Sequence, residues 1–322
     1  MLSYVLTTRN KLKSLRLLLD ELVADRRADE EIVAVDAGSS DGTQEYLKEL
    51  AAAGAISTWV SEPDKGESHG YNKALLLSRG AIVKPITDDD VFDWSVVRAC
   101  ARFMAEHPEV DALGGNIGRV STTDEGPLAF AAGNEDTYLR YWRGECPRAS
   151  FNGIPLMLRR SSLPLLGLFH VGCHAVDHEY TLRITGLATV AWCTAMVGVH
   201  IENAGSKLQT GSPTRALVAE KQRLDDFYDW HPDPPPKQPG IVARLRGRRP
   251  AGQWYQVDPA ELPVHVPPLP ERVPFETRYA EARAWLAAEN ATRAIEFLVP
   301  PGKRHRLAPT AGTESVKDPI AG

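Results

Sequence analysis

Four short apolar runs near the start of the chain, separated by segments of helical period, limit it to very few folds. Ser3–Thr7, Glu31–Asp36, Ile56–Ser61 and Ala81–Ile86 are rich in branched residues and read as strands. Between the first two, Leu12, Leu15, Leu18, Leu19 and Leu22 recur at helical spacing. Thr43–Ala53 reads as a helix stopped by Gly54, and Ser68–Ser78 as a helix stopped at Arg79-Gly80. Strands alternating with helices through short loops predict a parallel, doubly wound α/β sheet. Such sheets bind ligands beyond the carboxyl ends of their strands. Arg9, Asp36, Asp64 and Asp88–Asp90 all fall there.

The strongest chemical signal is Thr87-Asp88-Asp89-Asp90, directly after the fourth strand. In an extended chain Asp88 and Asp90 face one way and Asp89 the other. Three adjacent anions need a cation or strong donors. Mg²⁺ or Mn²⁺ bridging to a phosphate fits, because both take oxygen ligands and keep positions open for substrate. A solvated acidic turn is the alternative that the cluster alone leaves open. No Gly-x-Gly-x-x-Gly or P-loop pattern occurs, so neither a dinucleotide site nor an ATP-hydrolase site is supported.

Composition closes off other classes. With 322 residues, 43% hydrophobic and 25% charged, the chain can bury a sizeable core. A net charge of −5 carries no footprint for nucleic acid. No apolar run approaches the roughly 20 residues that span a bilayer. The first residues lack a basic, apolar leader, so a cytoplasmic location is expected. Cys100, Cys146, Cys173 and Cys193 have no Cys-x-x-Cys spacing, so reduced thiols and no zinc site are expected.

Val35-Asp36-Ala37-Gly38-Ser39-Ser40-Asp41-Gly42-Thr43 resembles the Val-Asp-x-Gly-Ser-x-Asp-Gly-Thr signature of family 2 glycosyltransferases with the GT-A fold. Asp64-Lys65-Gly66, Tyr71-Asn72-Lys73-Ala74 and the acidic cluster follow in the family's order. Phe151–Ser161 resembles its strand leading into Arg-Arg-Ser, and Val176–Arg183 its Glu-Asp-x-Asp-Leu-x-Leu-Arg segment. Val176 and Glu179 depart from that last pattern, the second keeping its carboxylate. The resemblance covers roughly the first 200 residues.

It implies a GT-A domain over 1–210, with nucleotide binding in about 1–110 and acceptor binding in about 111–210. Thr7, Thr8, Arg9, Asp36, Gly38, Asp64, Lys65, Asn72, Asp88 and Asp89 would hold the nucleotide, with Asp36 accepting from the base. Asp88, Asp90 and His200 would hold Mn²⁺ or Mg²⁺, Asp90 being the preferred direct ligand. Gly153 and His178 would lie near the donor or acceptor sugar. Asp177, preferred over Glu179, would be the general base of an inverting transfer. A UDP-linked donor is favoured over dTDP- or GDP-linked ones, and the acceptor would be a glycan or lipid-linked glycan. The Gln-x-x-Arg-Trp motif of processive synthases is absent after Asp177, implying single-sugar transfer in polysaccharide assembly. A nucleotidyltransferase and a non-catalytic nucleotide-sugar or glycan-binding protein are the rival readings. The first would want a glycine-rich loop after the first strand, where Thr8-Arg9-Asn10-Lys11 has none.

Further along, Trp94–His107 reads as a helix, Asp111–Val120 as a strand, Leu128–Trp142 as loop and helix, and Ala188–Val199 as a strand pair. Arg159 and Arg160 read as starting a helix or resting on the surface, and Lys207 as a solvated charge. Residues 211–299 form a helical, proline-rich extension. In it Ser212–Trp230 has helical period, 231–240 is a proline-dense linker, and Arg244, Arg246, Arg248 and Arg249 form a basic patch. Phe275–Leu298 reads as one amphipathic helix that packs on the catalytic domain or on a second chain. Peripheral association with the inner membrane is a further expectation, and 300–322 reads as a disordered tail.

Overall fold

The structure, a computed structural model, describes residues 1–203, 214–230, 258–265, 267 and 269–301. The linker, the basic patch, Lys207, the 210 boundary and nearly all of the tail lie outside these residues. The described chain forms a ten-stranded sheet of order β10-β9-β6-β8-β4-β1-β2-β3, with β5 paired to β9 and β7 to β6. Its first half is the expected parallel unit: β1 (Leu2–Thr8), α1 (Leu12–Asp25), β2 (Glu30–Asp36), α2 (Thr43–Ala52), β3 (Thr58–Ser61), α3 (Glu67–Leu77) and β4 (Ile82–Ile86). β1 and β2 are buried at every position, as strands covered by helices on both faces must be. The leucines of α1 supply one face of that cover, with Leu15, Leu18, Leu19 and Leu22 fully buried. Gly54 ends α2 at φ +69°, a conformation costly for residues with a Cβ.

The second half begins with β5 (Val91–Phe92) and α4 (Trp94–Glu106), whose first amides are capped by Asp93. Then come β6 (Ala112–Ser121), β7 (Ala129–Phe130), α5 (Ala132–Trp142), β8 (Met157–Arg159), α6 (Leu163–Leu166), α7 (Val176–Leu187) and β9 (Val190–Glu202). β8 runs antiparallel to both β4 and β6 and so joins the two halves. The sheet register aligns Leu6 with Ile86, Thr8 with Asp36 and Asp36 with Ser61, which brings the β1, β2, β3 and β4 ends to one edge.

Four expectations are corrected. Ala188–Val199 is one strand within the thirteen-residue β9, bent by register shifts at Gly115, Asn116 and Ile117 of its partner β6, rather than a pair. The strand expected across Phe151–Ser161 shrinks to Met157–Arg159, because Asn152 turns the chain by accepting the Ile154 amide. Arg159 neither starts a helix nor rests on the surface. Its guanidinium donates to the carbonyls of Val110, Met104 and His107 and so closes the end of α4. The last helix stops at Thr292, and Phe297–Leu298 returns as β10, antiparallel to β9.

Beyond β9, α8 (Arg215–Tyr228) packs on α7, and α9 (Phe275–Thr292) lies on β9, β6 and β5. α9 buries Phe275, Tyr279, Ala282 and Leu286 against Val91, Val120, Met196, Val199 and Ile201. Trp285 lies where a Cβ at Gly118 would come within 2.4 Å of its ring. The apolar face of this helix is therefore spent on its own domain. Asn290 anchors its end, accepting from the Met196 amide at 2.9 Å and donating to the Met196 carbonyl at 2.9 Å and to Asp93 at 2.8 Å. Asn290→Ala should destabilise the fold by about 1–3 kcal/mol, since it strands two backbone groups of β9. Denaturant unfolding measures this; a change below a few tenths would show α9 to be loosely held.

Candidate functional site

The strand ends open into a cleft of about 1030 Å³ whose wall runs from Thr7, Thr8, Arg9 and Lys11 past Asp64, Asp88, Asp89 and Asp90 to Gly153, Asp177 and His200. One site thus gathers residues from β1, the loop before α3, the end of β4, the loop before β8, the first turn of α7 and the end of β9. Gly153 meets Asp177 closely: a Cβ there would stand 3.4 Å from the Asp177 Cβ. Asp177 is half-buried, and its Oδ1 accepts the His178 amide at 2.8 Å.

The three carboxylates are held differently. Asp88 accepts from the Thr8 hydroxyl at 2.7 Å. Burial, followed by the charge of Asp89, pushes its carboxyl up to about 8. Asp89 accepts from Lys11 Nζ at 3.0 Å and from Asn203 Nδ2 at 2.6 Å. Burial opposes the Lys11 charge, but Asp89 and Asp88 outweigh it and raise the ammonium above its ordinary range. Asp90 is buried; its Oδ1 accepts from His200 Nδ1 and the Ile201 amide, each at 2.9 Å, and its Oδ2 from Thr87. Burial disfavours the charged His200 ring, yet Asp90 pushes it up to about 9.

Asp90 and His200 bind one another through the ring's Nδ1, which leaves Nε2 as the nitrogen that a cation could meet. Asp88 and Asp89 reach the cleft beside them, Asp88 held by one hydroxyl and Asp89 paired with Lys11. Among the described residues no cluster of three or more His, Cys, Asp or Glu forms a ready cage. Mg²⁺ and Mn²⁺ do not require one, since one or two carboxylates and substrate phosphates suffice. Asp88 and Asp89 give the cleft two adjacent carboxylates, the hard oxygen donors that such an ion takes, so the residues fit it.

Several expected residues stand behind the wall rather than on it. Asp36 is fully buried, and its carboxylate accepts from the Gly38 and Ser39 amides and the Ser39 and Ser61 hydroxyls. It builds the loop whose Ala37 faces the cleft, and has no oxygen surface to offer a base. Gly38 serves that same turn at φ +74°. Asn72 is buried and clasps both backbone groups of Phe169 at 2.8 Å, and Lys65 is off the wall. Glu179 forms a two-point ion pair with Arg183 at 2.8 and 3.0 Å and accepts the Tyr228 hydroxyl at 2.6 Å. Burial would raise its pKa, but these donors hold it below the usual carboxylate range. His178 is wedged between Ser150 and Asp225, 2.7 Å from each, and turned from the cleft.

The structure also adds residues that the sequence did not single out. Lys11 had only the look of a polar break, because its partner lies 78 positions away. Gly70 packs where a Cβ would fall 1.9 Å from the Thr7 hydroxyl and 3.2 Å from Asp64. Lys84, fully buried in β4, donates to the Ile154 and Leu156 carbonyls and lies 4.9 Å over the Phe92 ring. It thereby holds the loop that carries Gly153.

Residues 3–163, half of the chain, match the pattern described as Glycosyl transferase family 2, and the chain belongs to that family. Among solved structures it is similar to Staphylococcus aureus TarS 1–349 in complex with UDP-GlcNAc, with a TM-score of 0.52, 17% identity and 71% of each chain covered. It is also similar to the mannosyltransferase PcManGT of Pyrobaculum calidifontis in complex with GDP-Man and Mn²⁺, with a TM-score of 0.49 and 18% identity over 91% of this chain and 76% of that one. No curated protein sequence matches. No described helix is long and apolar enough to cross a membrane.

Burial pushes Lys84 down from 10.5 to about 7. Between those values the unfolded chain holds the proton and the folded chain does not. Stability should therefore rise with pH across that window, by at most about 1.4 kcal/mol per pH unit. In Lys84→Met this contribution is absent, so unfolding of both proteins from pH 7 to 10 should show wild type gaining on the variant. A constant difference would mean that Lys84 stays charged in the core.

Proposed function

We propose that this chain transfers a single sugar, with inversion, from a nucleotide-sugar to a hydroxyl on a glycan or lipid-linked glycan. The observation that carries the reading is the placement of Asp177 and the Asp88–Asp89 pair on the wall of one cleft, with Gly153 against Asp177. A UDP-linked donor is preferred, in keeping with the UDP-GlcNAc bound to TarS.

Thr8, Lys11 and Asn203 fix the directions of the Asp88 and Asp89 carboxylates. Asp88 and Asp89 would hold Mg²⁺ or Mn²⁺, which when bound supplies positive charge to a departing diphosphate. Arg9, also on the wall, adds a cation at the phosphate end. Asp177 Oδ1 is occupied by the His178 amide, which orients the carboxylate and leaves Oδ2 for the acceptor. The acceptor hydroxyl gives its proton to Asp177 while its oxygen bonds to the anomeric carbon. The bond from that carbon to the diphosphate breaks on the opposite face, which inverts the centre. A nucleotidyltransferase, whose phosphate nucleophile carries no hydroxyl proton to lose, would not need Asp177 as a base.

A panel of UDP-, dTDP- and GDP-sugars, assayed with Mn²⁺ for release of the nucleoside diphosphate, tests the reading. Asp177→Asn should lower turnover about 10²–10⁴-fold and leave nucleotide affinity within a few-fold. Turnover unchanged in Asp177→Asn would remove it as the base. No turnover of any donor, alongside intact nucleotide binding, would favour a binding protein instead.

A further inference from the structure

We propose that helix α8 is a built-in clamp on the helix that carries Asp177, with Glu220 as its positioning residue. The inference rests on the reading of Asp177 as the base. α7 begins at Val176, and its N-cap residue Ala175 offers no side-chain cap. The first turn of a helix leaves amides without partners, and an uncapped end frays. Glu220 of α8 instead fixes the chain as it enters the helix: its Oε2 takes the His174 amide at 2.9 Å and the amide of the N-cap residue Ala175 at 2.7 Å. Its side chain is only 13% exposed, and of its two bonds the one to Ala175 is the more sheltered.

Two more contacts fall on the other side of Asp177. Asp225 lies 2.7 Å from His178 Nε2, and the Tyr228 hydroxyl donates to Glu179 at 2.6 Å. Arg148 ties the far end by donating to the Tyr228 carbonyl at 3.0 Å and the Leu182 carbonyl at 2.9 Å. Glu220, Asp225 and Tyr228 thus grip residues 174–175, 178 and 179 and leave Asp177 between them untouched. None of the three faces the cleft, whereas Leu217 and Lys221 of the same helix do. This also accounts for the buried His178 and the Arg183-paired Glu179: they are the sockets of the clamp. α7 with Asp177 and α8 both lie beyond residues 3–163, the segment that matches the family pattern. A misplacement of about 1 Å at a reacting group can cost 10²-fold in rate, so the clamp should act on turnover rather than on donor binding.

The test uses the full chain and five variants: Glu220→Ala, Glu220→Gln, Tyr228→Phe, Asp177→Asn and the Asp177→Asn/Glu220→Ala double variant. Hydrogen exchange of the 174–180 amides is read together with nucleoside diphosphate release from the UDP-, dTDP- or GDP-sugar that wild type turns over. Glu220→Ala should speed exchange in that peptide at least 10-fold. It should lower kcat at least 10-fold with the donor KM within two-fold. Glu220→Gln keeps an acceptor oxygen and should recover kcat to within about three-fold. Tyr228→Phe, which retains both Glu220 bonds, should shift both readouts the same way by less, and it serves if Glu220→Ala does not fold. In the Asp177→Asn background, Glu220→Ala should add no further loss. Unchanged exchange in Glu220→Ala overturns the clamp, and faster exchange with unchanged kcat overturns its positioning role. If Asp177→Asn turns over normally, the base reading fails while the exchange result still judges the clamp.

Discussion

Three carboxylates in a row cannot share the end of a buried strand without being neutralised, and much of this structure follows from how that is done. Asp88 takes a hydroxyl from β1, Asp89 an ammonium from the β1–α1 loop and an amide from the end of β9, and Asp90 an imidazole and a backbone amide from β9. The acids therefore cross-link β1 and β9 around the end of β4. Desolvated charges are tolerable only when paired in this way, and removing a partner costs several kcal/mol. The compensation is uneven. Asp90 is fully answered, whereas burial and the neighbouring Asp89 leave the Asp88 carboxyl raised to about 8.

The same division of labour recurs at the other end of the cleft. Asp177 is presented, while its neighbours His178 and Glu179 are consumed in holding its helix. Lys84 gives up its solvation to hold the loop bearing Gly153, the residue packed against Asp177. In each case a polar side chain that looks functional in sequence is spent on fixing a neighbour. Fixed geometry is what a transfer reaction needs, since orientation lowers barriers as effectively as added charge.

This explains what could be read from the chain and what could not. The β1–β4 unit was legible because its signals are local: branched runs, leucines at helical spacing, and glycine stops at Gly54 and Gly80. Asp64, Asp88, Asp89 and Asp177 were legible as cleft residues because they follow strand ends or open a helix. Asp36 follows a strand end too, but Ser39 and Ser61 close over it, and the Ser61 contact spans 25 positions. Lys11 and Glu220 gave no signal because their partners are distant in sequence. The strand pair expected over Ala188–Val199 is the single strand β9, and its Gly198 is no turn. It is instead the point where β5 passes so close that a Cβ would lie 2.4 Å from the Val91 carbonyl. Phe297 was read into a helix on its spacing, whereas its ring stacks 4.0 Å from that of Phe103 as part of an edge strand.

The central claim is that the Asp88–Asp89 pair, with Thr8 and Lys11, is a cation-dependent diphosphate site. Calorimetry of UDP, GDP, dTDP and CDP, each with Mn²⁺ or with EDTA, on wild type and Asp89→Asn tests it most directly. The account predicts that at least one nucleotide binds with Mn²⁺, that EDTA weakens it at least 10-fold, and that Asp89→Asn does the same without unfolding the chain. Binding that is indifferent to the metal, or no binding of any nucleotide, would contradict it.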